Sequence, residues 1–220
     1  MLRMGRGGVS SADKADTIPA IFHRTAMKFP AKDAVVYDGI HLSYHDLDRI
    51  TDTLAHHLVE NAGVKPGDFV GVMIDRSELM ALYPLAVMKA GAAYMPLDPH
   101  FPQDRLEFMT EDAGIKIILD EDGLVAEKLP GFKGTTVSAD IIGTLPRDAE
   151  PVNLSTPDSP MVILYTSGST GKPKGVMMRQ SNIVNFCAAY VDITNLESSD
   201  ITGAYAAFGF DAHMLDLYPA

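Results

Sequence analysis

The chain has 220 residues, of which 46% are hydrophobic, and a net charge of −11, which describes an acidic globular protein able to bury a substantial core. That charge argues against broad binding to nucleic acid or to an anionic membrane, because both select clustered lysine and arginine. The single cysteine, Cys187, excludes an internal disulfide and cysteine-based metal spacing, which is typical of a reducing compartment, so we expect a cytoplasmic protein.

The first part of the chain predicts a helix, a hairpin and a second helix. We expect a flexible segment over residues 1–16 and then a helix over 17–28, where apolar residues recur at helical spacing. Two β-rich runs flank Asp38 and Gly39, and this dipeptide is the strongest short-range signal for a hairpin. Ser43 then stands where it can cap a helix with an apolar face.

The middle of the chain alternates strand and helix patterns. Strands buried on both faces are predicted at 69–74 and 115–119, and helices at 77–90 and 103–113. Residues 120–159 have weak periodicity and are predicted to cross the surface as strands and loops. This alternation favours an α/β fold in which layered, parallel-rich sheets are covered by helices.

The last part of the chain predicts two more strands on either side of a glycine-rich loop and a helix. Residues 161–165 are a short apolar run that predicts a third buried strand, and the helix is predicted at 181–191. A fourth strand is predicted at 204–208, and Asp211 stands where it can cap a following helix.

The loop after the third predicted strand concentrates glycine, hydroxyl and lysine side chains, in the sequence YTSGSTGKPKG at 165–175. Glycines let backbone N–H groups approach an anion, hydroxyls add hydrogen-bond donors, and lysine adds positive charge. This composition predicts a phosphate-binding loop. A flexible glycine and serine linker is the alternative, and the strand directly before the loop disfavours it.

Spacing excludes two common phosphate-binding loops. The nucleoside-triphosphatase loop requires Ser or Thr after a Gly-Lys pair, but Pro173 follows Gly171 and Lys172. The dinucleotide-binding fingerprint requires glycines at its first, third and sixth positions, and Gly168 and Gly171 do not fit that spacing. The loop therefore belongs to another class.

The glycine-rich loop and its flanks, LYTSGSTGKPKGV at 164–176, resemble the signature loop of the adenylate-forming, or AMP-binding, superfamily. That superfamily includes the adenylation domains of non-ribosomal peptide synthetases, acyl-CoA ligases and luciferases. Four further stretches resemble other motifs of the family, in the same order, at residues 42–47, 88–98, 102–105 and 210–211. On this resemblance, residues 17–220 are the N-terminal portion of an adenylation domain, truncated at its C-terminus, with the fold of that subdomain.

The resemblance implies ATP-dependent activation of a carboxylic acid, with an amino acid favoured, as an acyl-adenylate for transfer to a carrier-protein thiol. ATP and Mg²⁺ are the implied cofactors, and positioning and charge neutralisation dominate such transfers at phosphorus. The catalytic lysine is implied to lie in a C-terminal domain outside these residues, and Lys172 is expected to face solvent. The residues implied to hold the β- and γ-phosphates of ATP are Thr166, Ser167, Gly168, Ser169, Thr170, Gly171, Lys174 and Gly175.

At Phe210 and Asp211 the sequence resembles the amino-acid-activating members of the family more than the other members. It implies that the Asp211 carboxylate pairs with the α-ammonium of the substrate, and that Ala212 and Leu215 line the pocket for the substrate side chain. Helix capping is the alternative role for Asp211, and the two roles can coexist. Two residues depart from the family pattern: His213 replaces a small hydroxyl residue, and Gln180 stands where such domains often have a histidine.

Three functions stay open at this point. The chain is part of an amino-acid adenylation domain, part of an acyl-CoA or aryl-acid ligase, or a non-enzymatic nucleotide-binding remnant. We expect the 220 residues to be inactive alone, because the resemblance places the rest of the catalytic apparatus outside them. A truncated sheet is also expected to leave an exposed edge or an exposed apolar face.

Overall fold

The computed structural model describes residues 16–146, 150–167 and 172–219, so of the segment predicted to be flexible only Asp16 is described. Its helices are α1 (Ile18–Lys28), α2 (Tyr44–Glu60), α3 (Leu79–Lys89), α4 (Gln103–Asp112), α5 (Leu124–Lys128), α6 (Gln180–Thr194) and α7 (His213–Leu217). Its strands are β1 (Asp33–Tyr37), β2 (Ile40–Ser43), β3 (Phe69–Met73), β4 (Ala93–Pro96), β5 (Ile117–Asp120), β6 (Thr135–Ser138), β7 (Pro160–Thr166) and β8 (Lys174–Arg179). A 3-10 helix spans Ala139–Gly143.

A six-stranded sheet, ordered β6-β5-β3-β4-β7-β8, organises the described chain, and β1 pairs with β2 in a separate hairpin. Every neighbouring pair from β6 to β7 is parallel, whereas β8 runs antiparallel to β7. Parallel neighbours require crossover connections, and α3 and α4 supply two of them. The prediction of an α/β fold with a parallel-rich sheet and covering helices is confirmed.

The sheet is covered by helices on both faces. Val72 of β3 belongs to a core cluster shared with α1, α2, α3 and α6, whereas its neighbour Met73 belongs to a second cluster shared with α4 and α5. Successive side chains of a strand point to opposite faces, and a strand covered on both faces has a continuous apolar sequence. That is why the apolar runs predicted β3, β5 and β7. No helix in the described ranges combines the length and apolar composition that a membrane crossing needs.

The local signals near the N-terminus form the predicted elements. Thr17 caps α1 and Ser43 caps α2, each by accepting a backbone N–H on its side-chain oxygen. Asp38 and Gly39 form the turn between β1 and β2, with φ of 44° and 81°. Positive φ at both central residues is what the tight hairpin turn requires, and aspartate and glycine tolerate it best.

Three regions differ in detail from the prediction. Residues Ala93–Pro96 form the buried strand β4, for which no strand was predicted. The surface excursion at 120–159 contains α5 and β6. The apolar residues after the glycine-rich loop belong to β8, which is an edge strand of the sheet. The Val176 and Met177 side chains of this strand are 46% and 47% exposed, so the expected exposed edge is present.

The predicted strand at 204–208 is wrong. The Arg76 guanidinium donates hydrogen bonds to the main-chain oxygens of Ala204, Tyr205 and Ala206. The Asp216 carboxylate accepts hydrogen bonds from the main-chain N–H groups of Tyr205 and Ala206, at 2.9 and 2.8 Å. These two side chains satisfy the backbone groups that a sheet would otherwise pair, so the segment needs no neighbouring strand.

A buried cluster of charges joins the first three helices. The Lys89 ammonium, 2% exposed, donates to the Asp48 carboxylate at 2.7 Å, to the Asp52 carboxylate at 2.7 Å and to the Asp48 main-chain oxygen at 2.9 Å. Asp48 also contacts the His23 ring of α1 at 2.7 Å. All three ammonium protons have acceptors, which is the condition under which a buried charge is tolerated.

A second buried polar cluster links the centre of the sheet to α7. The Nε2 atom of the His213 ring lies 2.7 Å from the Tyr94 hydroxyl, and Nδ1 lies 2.5 Å from the main-chain oxygen of Phe210. The Tyr218 hydroxyl donates to that of Tyr94 at 2.8 Å. His213 is 0% exposed, and burial lowers the pKa of His213 from 6.5 to about 4.

Replacing Lys89 with methionine is expected to lower the free energy of unfolding by about 3 to 5 kcal/mol, because two buried carboxylates lose their counter-charge. Lys128→Met is the matched control, since Lys128 pairs with Glu127 at a surface where both side chains are solvated. Urea unfolding of the two variants measures the difference. Equal losses in the two variants would show that the Lys89 cluster contributes no more than a surface pair.

Folding stability is expected to fall as the pH drops from 6.5 to about 4, the pKa of His213 in the folded chain. Between these values the unfolded chain holds a proton that the folded chain does not, so acid favours unfolding by on the order of 3 kcal/mol. Urea unfolding curves across this range provide the measurement. His213→Asn should reduce the pH dependence, and His45→Asn, at an exposed histidine of α2, is the matched control. An unchanged pH dependence in His213→Asn would contradict the assignment.

Candidate functional site

The hairpin of β7 and β8 holds the glycine-rich loop. The ladder runs from Pro160 paired with Arg179 to Thr166 paired with Lys174, so the two ends of the loop are joined by the last rung. Residues 161–165 of β7 are buried in the sheet, whereas Thr166 and Ser167 are exposed. The described ends of the loop therefore lie at the carboxyl end of a core strand and are exposed to solvent.

The described residues predicted to bind phosphate lie together at the mouth of this hairpin. Thr166, Ser167, Lys174 and Gly175 are all exposed. The Thr166 hydroxyl lies 3.5 Å from the main-chain oxygen of Lys174 across the last rung. Lys172 is exposed, as predicted, with its ammonium 5.9 Å from the centre of the Phe108 ring.

The remaining predicted phosphate ligands are not described. Gly168, Ser169, Thr170 and Gly171 lie outside the described residues. The described mouth of the loop nevertheless presents two hydroxyls and two lysines without an acidic side chain among residues 166, 167 and 172–175. Such a set of donors suits an anion rather than a cation.

The base of the loop is anchored to α4. The Tyr165 hydroxyl donates to the Asp112 carboxylate at 2.7 Å, and the Phe108 ring meets the Tyr165 ring edge to face at 6.5 Å. Burial and the neighbouring Asp112 carboxylate raise the pKa of Tyr165, so it stays protonated as a donor. A Cβ at Gly175 would lie 3.0 Å from Ile163 and 3.2 Å from Tyr165, which explains a glycine opposite this tyrosine.

The three residues predicted to contact the substrate acid lie around the start of α7. Asp211 is exposed, and Ala212 and Leu215 are half-buried. The predicted capping role of Asp211 is wrong, because Ala212 is the N-cap and the helix has no side-chain cap. The Asp211 carboxylate is thus not committed to the helix terminus.

The Asp211 segment and the glycine-rich loop belong to the same edge of the sheet. A Cβ at Gly209 would lie 3.3 Å from Phe101 and 3.9 Å from Asp98, so this segment packs against the loop that follows β4. Strand β4 is the parallel neighbour of β7, through the pair Tyr94 and Val162. Carboxyl ends of parallel strands meet at one edge, where ligands of open α/β sheets bind.

Sequence reasoning missed the residues that hold the Asp211 segment. Arg76 follows β3 and clamps the backbone of 204–206, and Asp216 of α7 completes the clamp. An arginine directly after a buried strand was a visible signal, but its partners are 128 to 130 positions later. Among the described residues no group of three or more His, Cys, Asp or Glu side chains is arranged to hold a metal ion.

Known proteins with similar sequences were found over most of the chain. The sequence model of the family described as AMP-binding enzyme matches residues 22–220. Surfactin synthase subunit 1 of Bacillus subtilis (strain 168) is 32% identical over 226 residues, covering 100% of this chain and 6% of that protein. Bacitracin synthase 1 of Bacillus licheniformis is 35% identical over 209 residues, covering 94% of this chain and 4% of that protein.

Solved structures share the fold. The nonribosomal peptide synthetase FmoA3 in its AMPPNP-bound form has a TM-score of 0.86 at 28% identity, covering 99% of this chain and 22% of that chain. The N-terminal subdomain of Klebsiella oxytoca NpsA in complex with 3-hydroxybenzoyl-AMSN has a TM-score of 0.85 at 25% identity, covering 97% of this chain and 53% of that chain.

The chain therefore spans only a small part of the curated relatives named above and about half of the NpsA subdomain. The family model covers nearly all of the described residues, and the fold agrees with that of the synthetase structures. We conclude that this chain belongs to the AMP-binding enzyme family.

Proposed function

We propose that this chain supplies the phosphate-binding loop and part of the acid pocket of an enzyme that activates a carboxylic acid with ATP. The product is an acyl-adenylate, the favoured acid is an amino acid, and the acceptor is the thiol of a carrier protein. The observation that carries the proposal is the glycine- and hydroxyl-rich hairpin loop of β7 and β8, on the same sheet edge as Asp211. The similarity to FmoA3, of which an α-methyl-L-serine-AMP complex is known, supports it.

The reaction is a displacement at phosphorus. An oxygen of the substrate carboxylate bonds to the α-phosphorus of ATP, the bond from that phosphorus to the bridging oxygen breaks, and pyrophosphate leaves with the electron pair. The barrier is lowered chiefly by holding the reactants in line and neutralising charge on the leaving group. Both tasks suit hydroxyl and lysine donors at the mouth of a hairpin.

The loop residues divide these tasks. The hydroxyls of Thr166 and Ser167 and the backbone N–H groups of the loop donate to oxygens of the β- and γ-phosphates. The Lys174 ammonium neutralises negative charge that grows on the departing pyrophosphate. Lys174 starts β8 and is paired with Thr166, so the ladder holds the two side chains in register.

Mg²⁺ fits this site as a companion of the nucleotide. The described residues provide hydroxyl oxygens but no carboxylate cluster, and Mg²⁺ commonly keeps several waters and binds through substrate phosphates. When bound, the ion supplies further neutralisation of the phosphate charge. The protein's own contribution is then the orientation of the phosphates by Thr166, Ser167 and Lys174.

The Asp211 carboxylate selects the acid. It is exposed and uncommitted to a helix cap, so it is available to pair with the α-ammonium of an amino acid, with Ala212 and Leu215 beside the substrate side chain. An aryl-acid ligase is the second candidate, because the NpsA subdomain of similar fold is known in complex with 3-hydroxybenzoyl-AMSN. An aryl acid without an ammonium gains nothing from Asp211.

Asp211→Ala is expected to lower kcat/KM for amino-acid-dependent ATP–pyrophosphate exchange about 100-fold in the full-length parent protein, because the ammonium loses a charge-assisted partner. Asp192→Ala removes an exposed aspartate of α6 and serves as the control. The 220-residue chain alone is the negative arm, and we propose that it shows no exchange. Undiminished amino-acid exchange in Asp211→Ala would refute the amino-acid assignment, and exchange with aryl acids instead would favour the second candidate.

Lys174→Ala is expected to lower kcat/KM for ATP about 100-fold in the same assay, because the leaving pyrophosphate loses a fixed positive charge. Lys172→Ala is the matched control in the same loop, since Lys172 faces solvent, and it should stay within about twofold of the parent. Steady-state exchange rates at varied ATP concentration measure both variants. Equal effects of the two substitutions would argue that the loop attracts ATP by net charge alone.

A further inference from the structure

A chain of buried hydrogen bonds ends at the peptide group that precedes Asp211. The Tyr218 hydroxyl donates to the Tyr94 hydroxyl at 2.8 Å, and the Tyr94 hydroxyl lies 2.7 Å from Nε2 of His213. Nδ1 of the same ring lies 2.5 Å from the main-chain oxygen of Phe210. The chain thus runs from the end of α7 through β4 and back to the residue beside Asp211.

The direction of every bond in this chain follows from its ends. A carbonyl oxygen can only accept, so Nδ1 of His213 carries the proton and donates to Phe210. Burial keeps the ring neutral, so Nε2 has a lone pair and accepts from the Tyr94 hydroxyl. The Tyr94 oxygen in turn accepts from Tyr218. The neighbours therefore select one tautomer of the imidazole.

The fixed tautomer controls the backbone at Asp211. The Phe210 oxygen belongs to the planar peptide unit that ends at the Asp211 nitrogen. It accepts two hydrogen bonds from His213, one from the Nδ1–H of the ring and one from the main-chain N–H, the latter at 3.1 Å. Two donors from one residue leave this peptide plane little freedom to rotate. The Asp211 side chain is exposed, so its position follows from the backbone that carries it.

The imidazole is itself held by rings of the core. The Phe208 ring lies 5.0 Å from the His213 ring, and the Tyr94 ring lies 5.8 Å from it, both edge to face. Tyr94 is a buried residue of β4, at the centre of the sheet. A small hydroxyl residue at 213 would offer one short donor and could not span the distance from Phe210 to Tyr94.

We propose that His213 is a positioning residue for substrate recognition, which orients the Asp211 carboxylate toward the ammonium group of an amino acid. This inference rests on the proposed function, in which Asp211 binds that ammonium. His213 touches neither ATP nor the acid, and acts through the Phe210 peptide. Its loss should therefore weaken recognition of the amino acid and leave recognition of ATP intact.

The test measures KM separately for the amino acid and for ATP, by pyrophosphate exchange in the full-length parent. His213→Leu should raise KM for the amino acid about tenfold, with KM for ATP within about twofold, since small misplacements of a binding group are costly. His213→Asn should restore most of the loss, because its amide N–H stands near the position of Nδ1–H. Thermal unfolding confirms that each variant is folded.

A tyrosine variant keeps the test decisive if His213→Leu does not fold. Tyr94→Phe preserves the ring and removes only the hydroxyl that selects the tautomer, so KM for the amino acid should rise by a smaller factor. Tyr83→Phe is the matched control, because it removes another buried hydroxyl, which donates to the main-chain oxygen of Asp120 at 3.2 Å. That control should leave both KM values unchanged.

The outcomes separate this inference from the proposed function. A folded His213→Leu or Tyr94→Phe variant with an unchanged KM for the amino acid would overturn the positioning role alone. Parallel increases in KM for the amino acid and for ATP would do the same, since they indicate a general structural role. An unaffected Asp211→Ala variant would overturn the proposed function, and the positioning role with it.

Discussion

The antiparallel ladder between β7 and β8 is the interaction on which the candidate site depends. Strand β7 is buried between two layers of helices, and its last rung, Thr166 with Lys174, closes the glycine-rich loop. That rung sets Thr166 opposite Lys174, where the two described ends of the loop meet. A hydroxyl residue and a lysine of the predicted phosphate-binding set are thereby brought to one place on the sheet edge.

The parallel part of the sheet brings the rest of the site to the same edge. Strands β3, β4 and β7 are consecutive neighbours, and a functional segment follows each of them. Arg76 after β3 clamps the backbone at 204–206, Phe101 after β4 packs against Gly209, and the glycine-rich loop follows β7. The chain returns to this edge through residues far apart in sequence. Parallel topology, with its obligatory crossovers, is what gathers them.

Local patterns in the sequence were sufficient for the elements whose stabilising contacts are also local. The Ser43 cap and the turn at Asp38 and Gly39 each involve partners within a few residues, and both were predicted. The strand at 204–208 was predicted wrongly, although the segment contains Tyr205 and Phe208, whose residue types favour strands. Nothing in that window reveals Arg76, which lies 128 positions earlier and satisfies its backbone instead. The glycine-rich loop was recognisable because its chemistry lies within one contiguous stretch.

His213 shows why a departure from a family pattern can be seen in a sequence and still not be understood there. The residue was visible as an exception, but its meaning lies in Tyr94, 119 positions earlier, and in the ring packing of Phe208. A buried imidazole is stable only when both of its nitrogens have partners, so residues 94 and 213 are coupled choices. A short hydroxyl residue at 213 would leave the Tyr94 hydroxyl without its acceptor in the core. The identity of residue 213 is therefore determined by the interior of the sheet, although its consequence lies at the exposed Asp211.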